Sequence, residues 1–158
     1  MTDLGLFLLT LVAALGCGLI AGVFFTFSTF LMLAISNLPP AQGIAAMQAI
    51  NLTVINRYFM TAFFGTAAAC AVLAAFSLLR WQERDNTYLL VGSVFYLVGT
   101  ILVTILFNVP RNDALAKVQC DSAEGAYLCS RNVVEWTRWN HVRTFASFVA
   151  ATMLTIAL

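Results

Sequence analysis

The stretch LFLLTLVAALGCGLIAGVFFTFSTFLMLAI, residues 6–35, contains no charged side chain. A helix of about 20 apolar residues crosses the ~30 Å hydrocarbon core of a bilayer. A charge at the centre of such a helix costs about 3 kcal/mol, so long uncharged runs are what an embedded chain must show. Three further runs repeat the pattern, at residues 58–79, 87–107 and about 138–158. Only 15 of the 158 residues are charged, 8 Lys+Arg and 7 Asp+Glu, and residues 4–56, 58–79, 86–110 and 144–158 have none. The expectation is an all-α, integral membrane, four-helix bundle in one domain, residues 1–158, multi-pass and, in a bacterium, in the inner membrane.

Composition excludes other classes. A hydrophobic content of 61% and a mean hydropathy of +0.90 lie outside the soluble range. A net charge of +1 gives no basic footprint for nucleic acid. The N-terminus has no basic region ahead of its apolar run, and that run outlasts a signal-peptide core. It reads as a retained first helix.

The connections carry the polar residues. Ser36-Asn37-Leu38-Pro39-Pro40 stops the first helix, and residues 41–50 suit a short interfacial or re-entrant helix. Residues 80–86 form a tight charged turn. Residues 108–140 are an extended polar connection expected to hold one or two short helices. Gly18 and Gly22, Gly65 and Ala69, and Gly92 and Gly99 are spaced for close helix packing, and exposed Gly/Ala faces allow a homo-oligomer.

Four spans put the 36–57 and 108–140 connections on one side of the bilayer. Asn56-Arg57, Asn108 to Asn112 and Asn140 to Arg143 then share a membrane face. Residues 144–158 give only about 22 Å of helix at 1.5 Å per residue. The fourth helix must therefore start near residues 136–140, which draws Asn140, His141 and Arg143 into it. Asn140 and Arg143 are three apart and Trp139 and Arg143 four apart, so each pair can share a helix side. Arg143 either snorkels outward or points into an enclosed polar pocket. Asn108, Arg111 and Asn112 show the same spacing if the third helix continues past Pro110. Each group also has a plain structural use: asparagines cap helices, and arginines anchor helix ends or bind lipid phosphate.

Cys17 and Cys70 fall in apolar runs and read as packing residues. Cys120 and Cys129 share the long polar connection and are a candidate disulfide if it faces an oxidising compartment. One His and no second Cys pair leave no zinc site, so no metal is expected. Six basic residues (Arg57, Arg111, Lys117, Arg131, Arg138, Arg143) lie on the polar-connection side against Arg80 and Arg84 on the other. A plain count puts that side in the cytoplasm. Three of those six are pocket candidates, which leaves three against two, and the Cys120/Cys129 pair argues the other way; the expectation is an extracytoplasmic pocket.

Three segments resemble the anthrone oxygenase-like family: Gly22-Val-Phe-Phe-Thr-Phe-Ser28, Asn108-Val-Pro-Arg-Asn-Asp-Ala-Leu115 and Trp136-Thr-Arg-Trp-Asn-His-Val-Arg-Thr144. The resemblance implies a small four-helix membrane protein. Characterised members are fungal enzymes that oxidise an anthrone to an anthraquinone with molecular oxygen, without metal or flavin. It implies an apolar aromatic small molecule and molecular oxygen as partners beside the lipid bilayer, and no cofactor.

That chemistry needs a base, a positive group for a developing oxyanion and an apolar enclosure. His141 is the one imidazole and the expected base. Arg143 and Arg111 supply charge. Asn108, Asn112, Asn140, Trp139, Arg57 and Phe25 are the expected substrate-binding residues, with Trp136, Phe24 and Phe27 as further walls. The competing expectations are a non-enzymatic membrane protein that binds or transports a lipid or small organic acid, and a structural membrane subunit.

Overall fold

A computed structural model describes residues 3–80, 85–117 and 123–158. The described chain is helical, with no strand among the described residues. Helix α1, Asp3–Thr26, widens into a π-helical turn at Phe27–Leu31 and continues as α2, Met32–Ser36. Pro39 then leaves the helical region, and Pro40 opens α3, Pro40–Thr53, where its missing N–H costs nothing. Helix α4, Arg57–Leu79, is capped by Asn56, whose Oδ1 accepts from the backbone N–H of Tyr58 and Phe59 at 3.0 Å each. The expected helix stop and short third helix are thus present.

The next rod is continuous from α5, Asp85–Val94, through π-helical stretches at Phe95–Leu102 and Thr104–Asn108, into α6, Val109–Ala116. The helix therefore does continue past Pro110. A proline ring ordinarily collides with the carbonyl four residues back. Here the chain is already wide: the Val109 N–H reaches the Thr104 carbonyl, five residues back, one residue before the proline. Pro110 then sits in the first turn of α6.

Helix α7, Ala123–Ile156, is 34 residues long, about 51 Å. It corrects the expectation that the fourth helix begins near residue 136. Polar composition reads as a loop, but these residues continue the apolar segment as one helix, which packs against α3 and α6 from Val133 on. The candidate disulfide lies outside what is described at Cys120 and at the Cys129 side chain, as does most of the charged turn.

Three helical rods are long and apolar enough to cross a membrane: Leu4–Ser36, Arg57–Leu79 and Asn86–Ala116. Their outward faces carry Leu8, Val12, Leu15, Leu19, Val72 and Ile105, all exposed. Helix α7 has the length, yet Asn140, His141 and Arg143 break its apolar run.

Helix α7 packs along α1 and along the α5–α6 rod, with α4 closing the bundle against α1 and α5. Backbones approach where glycine permits. A Cβ on Gly16 would collide with Thr66, one on Gly99 with Ala146, and one on Gly92 with Leu154 Cγ at 2.9 Å. Gly18, Gly22 and Gly65 face open space instead. One apolar cluster (Cys17, Ile20, Phe24, Phe63, Leu73, Tyr96, Leu154) fills most of the bundle. A second (Met32, Ile35, Ile44, Met47, Leu115, Trp136) sits where α2, α3, α6 and α7 meet.

Candidate functional site

A layer of polar side chains separates the two apolar clusters. Along α1 and α2 the order is Phe24, Ser28, Met32; along the α5–α6 rod it is Tyr96, Thr100, Thr104, Asn108, Leu115; along α7 it is Ala150, Ser147, Arg143, Asn140, Trp136. The π-helical turns at Phe27–Leu31, Phe95–Leu102 and Thr104–Asn108 all fall in or beside this layer. Such turns shift the azimuth of every later side chain, and they recur at functional sites.

Arg143 is the centre. Its side chain is buried, at 4% exposure, and points into the bundle rather than out to the surface. Nη2 donates to Asn140 Oδ1 at 2.7 Å, and Nη1 donates to Thr104 Oγ1 at 3.3 Å. The guanidinium lies 4.1 Å from the Phe24 ring centroid and 4.9 Å from that of Trp136. Among the described residues no carboxylate pairs with it; the ion pairs found there are Arg111–Glu135 and Arg131–Glu135. Its Nε–H has no partner, and neither has the buried Oδ1 of Asn108.

Asn140, fully buried, ties α7 to α1: Nδ2 donates to the Phe24 carbonyl and to Ser28 Oγ, each at 2.7 Å. Ser28 Oγ is in turn 3.0 Å from Thr144 Oγ1. Asn108, also fully buried, donates weakly to the Trp136 carbonyl at 3.3 Å. Thr100 and Ser147 bridge the α5–α6 rod and α7 at 2.7 Å.

Desolvating a cation costs several kcal/mol even after relaxation. Two ring contacts and two hydrogen bonds offset this cost. What the geometry leaves is a buried charge with no carboxylate partner among the described residues, a long Thr104 contact and an unused Nε–H. The layer has a positive charge, one unused donor and one unused acceptor.

The other expected residues are distributed more widely. Arg111 donates to the Phe107 carbonyl at 2.7 Å and to Glu135 at 3.0 Å, bracing α6 against α7. Glu135 also accepts from Arg131 Nε at 2.9 Å. Hydrogen bonds from Arg131 and then Arg111 hold its carboxyl below the usual carboxylate range. Asn112 Oδ1 accepts the Trp136 indole N–H at 2.9 Å. Trp139 stacks on Phe107, ring centroids 3.6 Å apart. Arg57 is exposed and folds over its neighbour Tyr58, away from the layer. Phe25 is 56% exposed; Phe24, its neighbour, faces Arg143. His141 is exposed, so the imidazole does not join the Arg143 layer. The rings of Phe24 and Trp136 lie directly on the guanidinium.

The hydroxyls of Ser28, Thr104 and Thr144 escaped the sequence reading. Hydroxyls in apolar helices usually bond their own backbone one turn back, as Thr10, Thr26, Thr29 and Ser77 do here. Thr104 and Thr144 do so too, and the second contact each makes across the bundle leaves no mark in composition. Ser28 did lie in a segment carrying the family resemblance.

A family model described as "Anthrone oxygenase" matches residues 59–153, well over half of the chain. The matched region contains Thr104, Asn108, Asn112, Trp136, Asn140 and Arg143, while Phe24 and Ser28 precede it. No curated protein and no solved structure matches the chain.

Proposed function

Because the chain belongs to the anthrone oxygenase family, we propose that it oxidises an apolar aromatic substrate of the anthrone type with molecular oxygen, with Arg143 holding the substrate's enolate. The observation that carries this reading is the buried Arg143 guanidinium, which has no carboxylate partner among the described residues and has an unused Nε–H. A delocalised aromatic enolate supplies the missing negative charge, and its flat ring system suits a cation already bedded between rings.

The chemistry then resides in the substrate. Loss of one CH₂ proton gives a carbanion whose charge spreads onto the ketone oxygen. Transfer of one electron to oxygen gives a carbon radical and superoxide. Their combination forms a C–O bond, and the protonated hydroperoxide loses water as the second C–H proton leaves. The sum is anthrone plus O₂ to anthraquinone plus water, with no electrons left over. Arg143 lowers the substrate's own pKa by stabilising the enolate. Asn108 Oδ1 accepts from a substrate hydroxyl. His141 lies on the outer face, so the first proton leaves to a group outside the layer. The enclosure needs no resident cofactor.

The test is oxygen uptake by purified protein with anthrone as substrate. Arg143→Gln should lower kcat/KM by about 100-fold or more, the scale of a lost oxyanion donor. Unchanged uptake would sink the reading.

The closed packing favours a second reading, retention of a small organic acid or lipid headgroup without turnover. Mass spectrometry of extracted protein separates the two: an unmodified acid supports binding, and a quinone supports oxidation.

A further inference from the structure

Trp136 faces two environments. One is Arg143, whose guanidinium lies 4.9 Å from the indole centroid. The other is a cleft between α2, α3, α6 and α7, lined by Met32, Met47, Asn112, Leu115, Val133 and Trp136, with room for about one water molecule. The indole therefore forms the wall between the cleft and the buried cation. It is held shut by its N–H on Asn112 Oδ1 at 2.9 Å and by the Phe27 ring, 5.4 Å away and tilted by 52°.

The rest of the lining is suited to giving way. Met32 and Met47 are unbranched and adapt their shape at low cost. The Asn112 bond is the one polar latch on the indole. A ring that swings off the cation would expose the guanidinium to the cleft and lengthen the cleft into a slot for a flat molecule.

We propose that Trp136 is the gate to the Arg143 layer, that Asn112 is its latch, and that the Met32–Met47 cleft is the route by which a flat aromatic anion reaches the cation. The proposal rests on the reading of Arg143 as an anion site. It gives Asn112 a positioning role in place of direct substrate binding. Because a gate changes the barrier and leaves the two end states alone, opening it raises the association and dissociation rates together.

The experiment is stopped-flow fluorescence of 2-naphthoate, an aromatic carboxylate that is not an anthrone, binding to the detergent-solubilised full chain. Trp136→Phe keeps a ring over the guanidinium but loses the latch. Asn112→Leu removes the acceptor at nearly constant volume. Each should raise both rate constants at least tenfold while Kd changes less than threefold. Asn112→Asp, which keeps the acceptor, should restore rates within threefold of wild type. Arg143→Gln should abolish binding in every background. If Arg143→Gln abolishes binding while Trp136→Phe and Asn112→Leu keep wild-type rates, the gate is wrong and the anion site stands. If Arg143→Gln binds like wild type, or the wild type binds no 2-naphthoate, the anion site fails and the gate with it.

Discussion

Arg143 Nη2 donates to Asn140 Oδ1 at 2.7 Å, one turn back on the same helix. Asn140 spends its two amide protons on the Phe24 carbonyl and Ser28 of α1. The asparagine therefore orients the arginine and joins α7 to α1 in one stroke. Its loss and the loss of the arginine should have opposite consequences.

Asn140→Ala leaves a buried cation, a carbonyl and a hydroxyl short of partners. It should destabilise the folded protein by about 1–3 kcal/mol, the cost of orphaned buried polar groups. Arg143→Met removes the desolvated charge itself and should stay within about 1 kcal/mol of wild type or exceed it. Reversible unfolding in mixed micelles measures both. A large loss of stability in Arg143→Met would mean that the cation is a structural member of the bundle.

His141→Ala should lower kcat/KM for anthrone oxidation by less than about tenfold, because the imidazole is exposed. A general base contributes about 10²–10⁴-fold. A loss in that range, measured by oxygen uptake, would return the imidazole to the site and require α7 to rotate during turnover.

The Glu135 carboxyl is held below its ordinary pKa of 4.5, first by Arg131 and then by Arg111. A depressed folded-state pKa adds stability above the unfolded value, and that stability is lost as pH falls through the folded one. Thermal stability should therefore decline as pH drops below about 4.5, and Glu135→Gln should flatten that part of the profile. An unchanged acid limb in Glu135→Gln would mean that other carboxylates carry it.

Gly16→Val and Gly99→Val insert bulk against Thr66 and Ala146, and each should cost about 1–3 kcal/mol or more through overpacking. Gly18→Val and Gly22→Val meet open space and should shift the folding of one chain by about 0.5 kcal/mol or less. The four unfolding curves in micelles should fall into two pairs.

The burial of two candidate residues was legible in their spacing. The 140/143 spacing placed two side chains on one helix side, and both are buried. The same spacing argues against His141: at 100° per residue it lies about 100° from Asn140 and about 160° from Arg143, so a face that buries both turns the imidazole outward. Phe25 is turned outward beside the buried Phe24 for the same reason. The glycines show the limit: Gly18 and Gly22 carry the better motif, yet Gly16 meets α4. The start of α7 at Ala123 was hidden because polar residues in a helix on a bundle's end and polar residues in a loop look alike in composition.

The chain alone determined that this is an all-helical membrane bundle with its few charged groups held mostly in the connections between apolar runs. Backbone amides in hydrocarbon must be satisfied within helices, and uncharged runs of this length leave no other arrangement. Only the tertiary structure decided that Arg143 is buried between Phe24 and Trp136 and that His141 is outside. Azimuth around a helix depends on every preceding turn, and π-helical turns in α1 and in the α5–α6 rod reset it locally. Which atoms then face one another follows from how the helices dock, a property of no single segment.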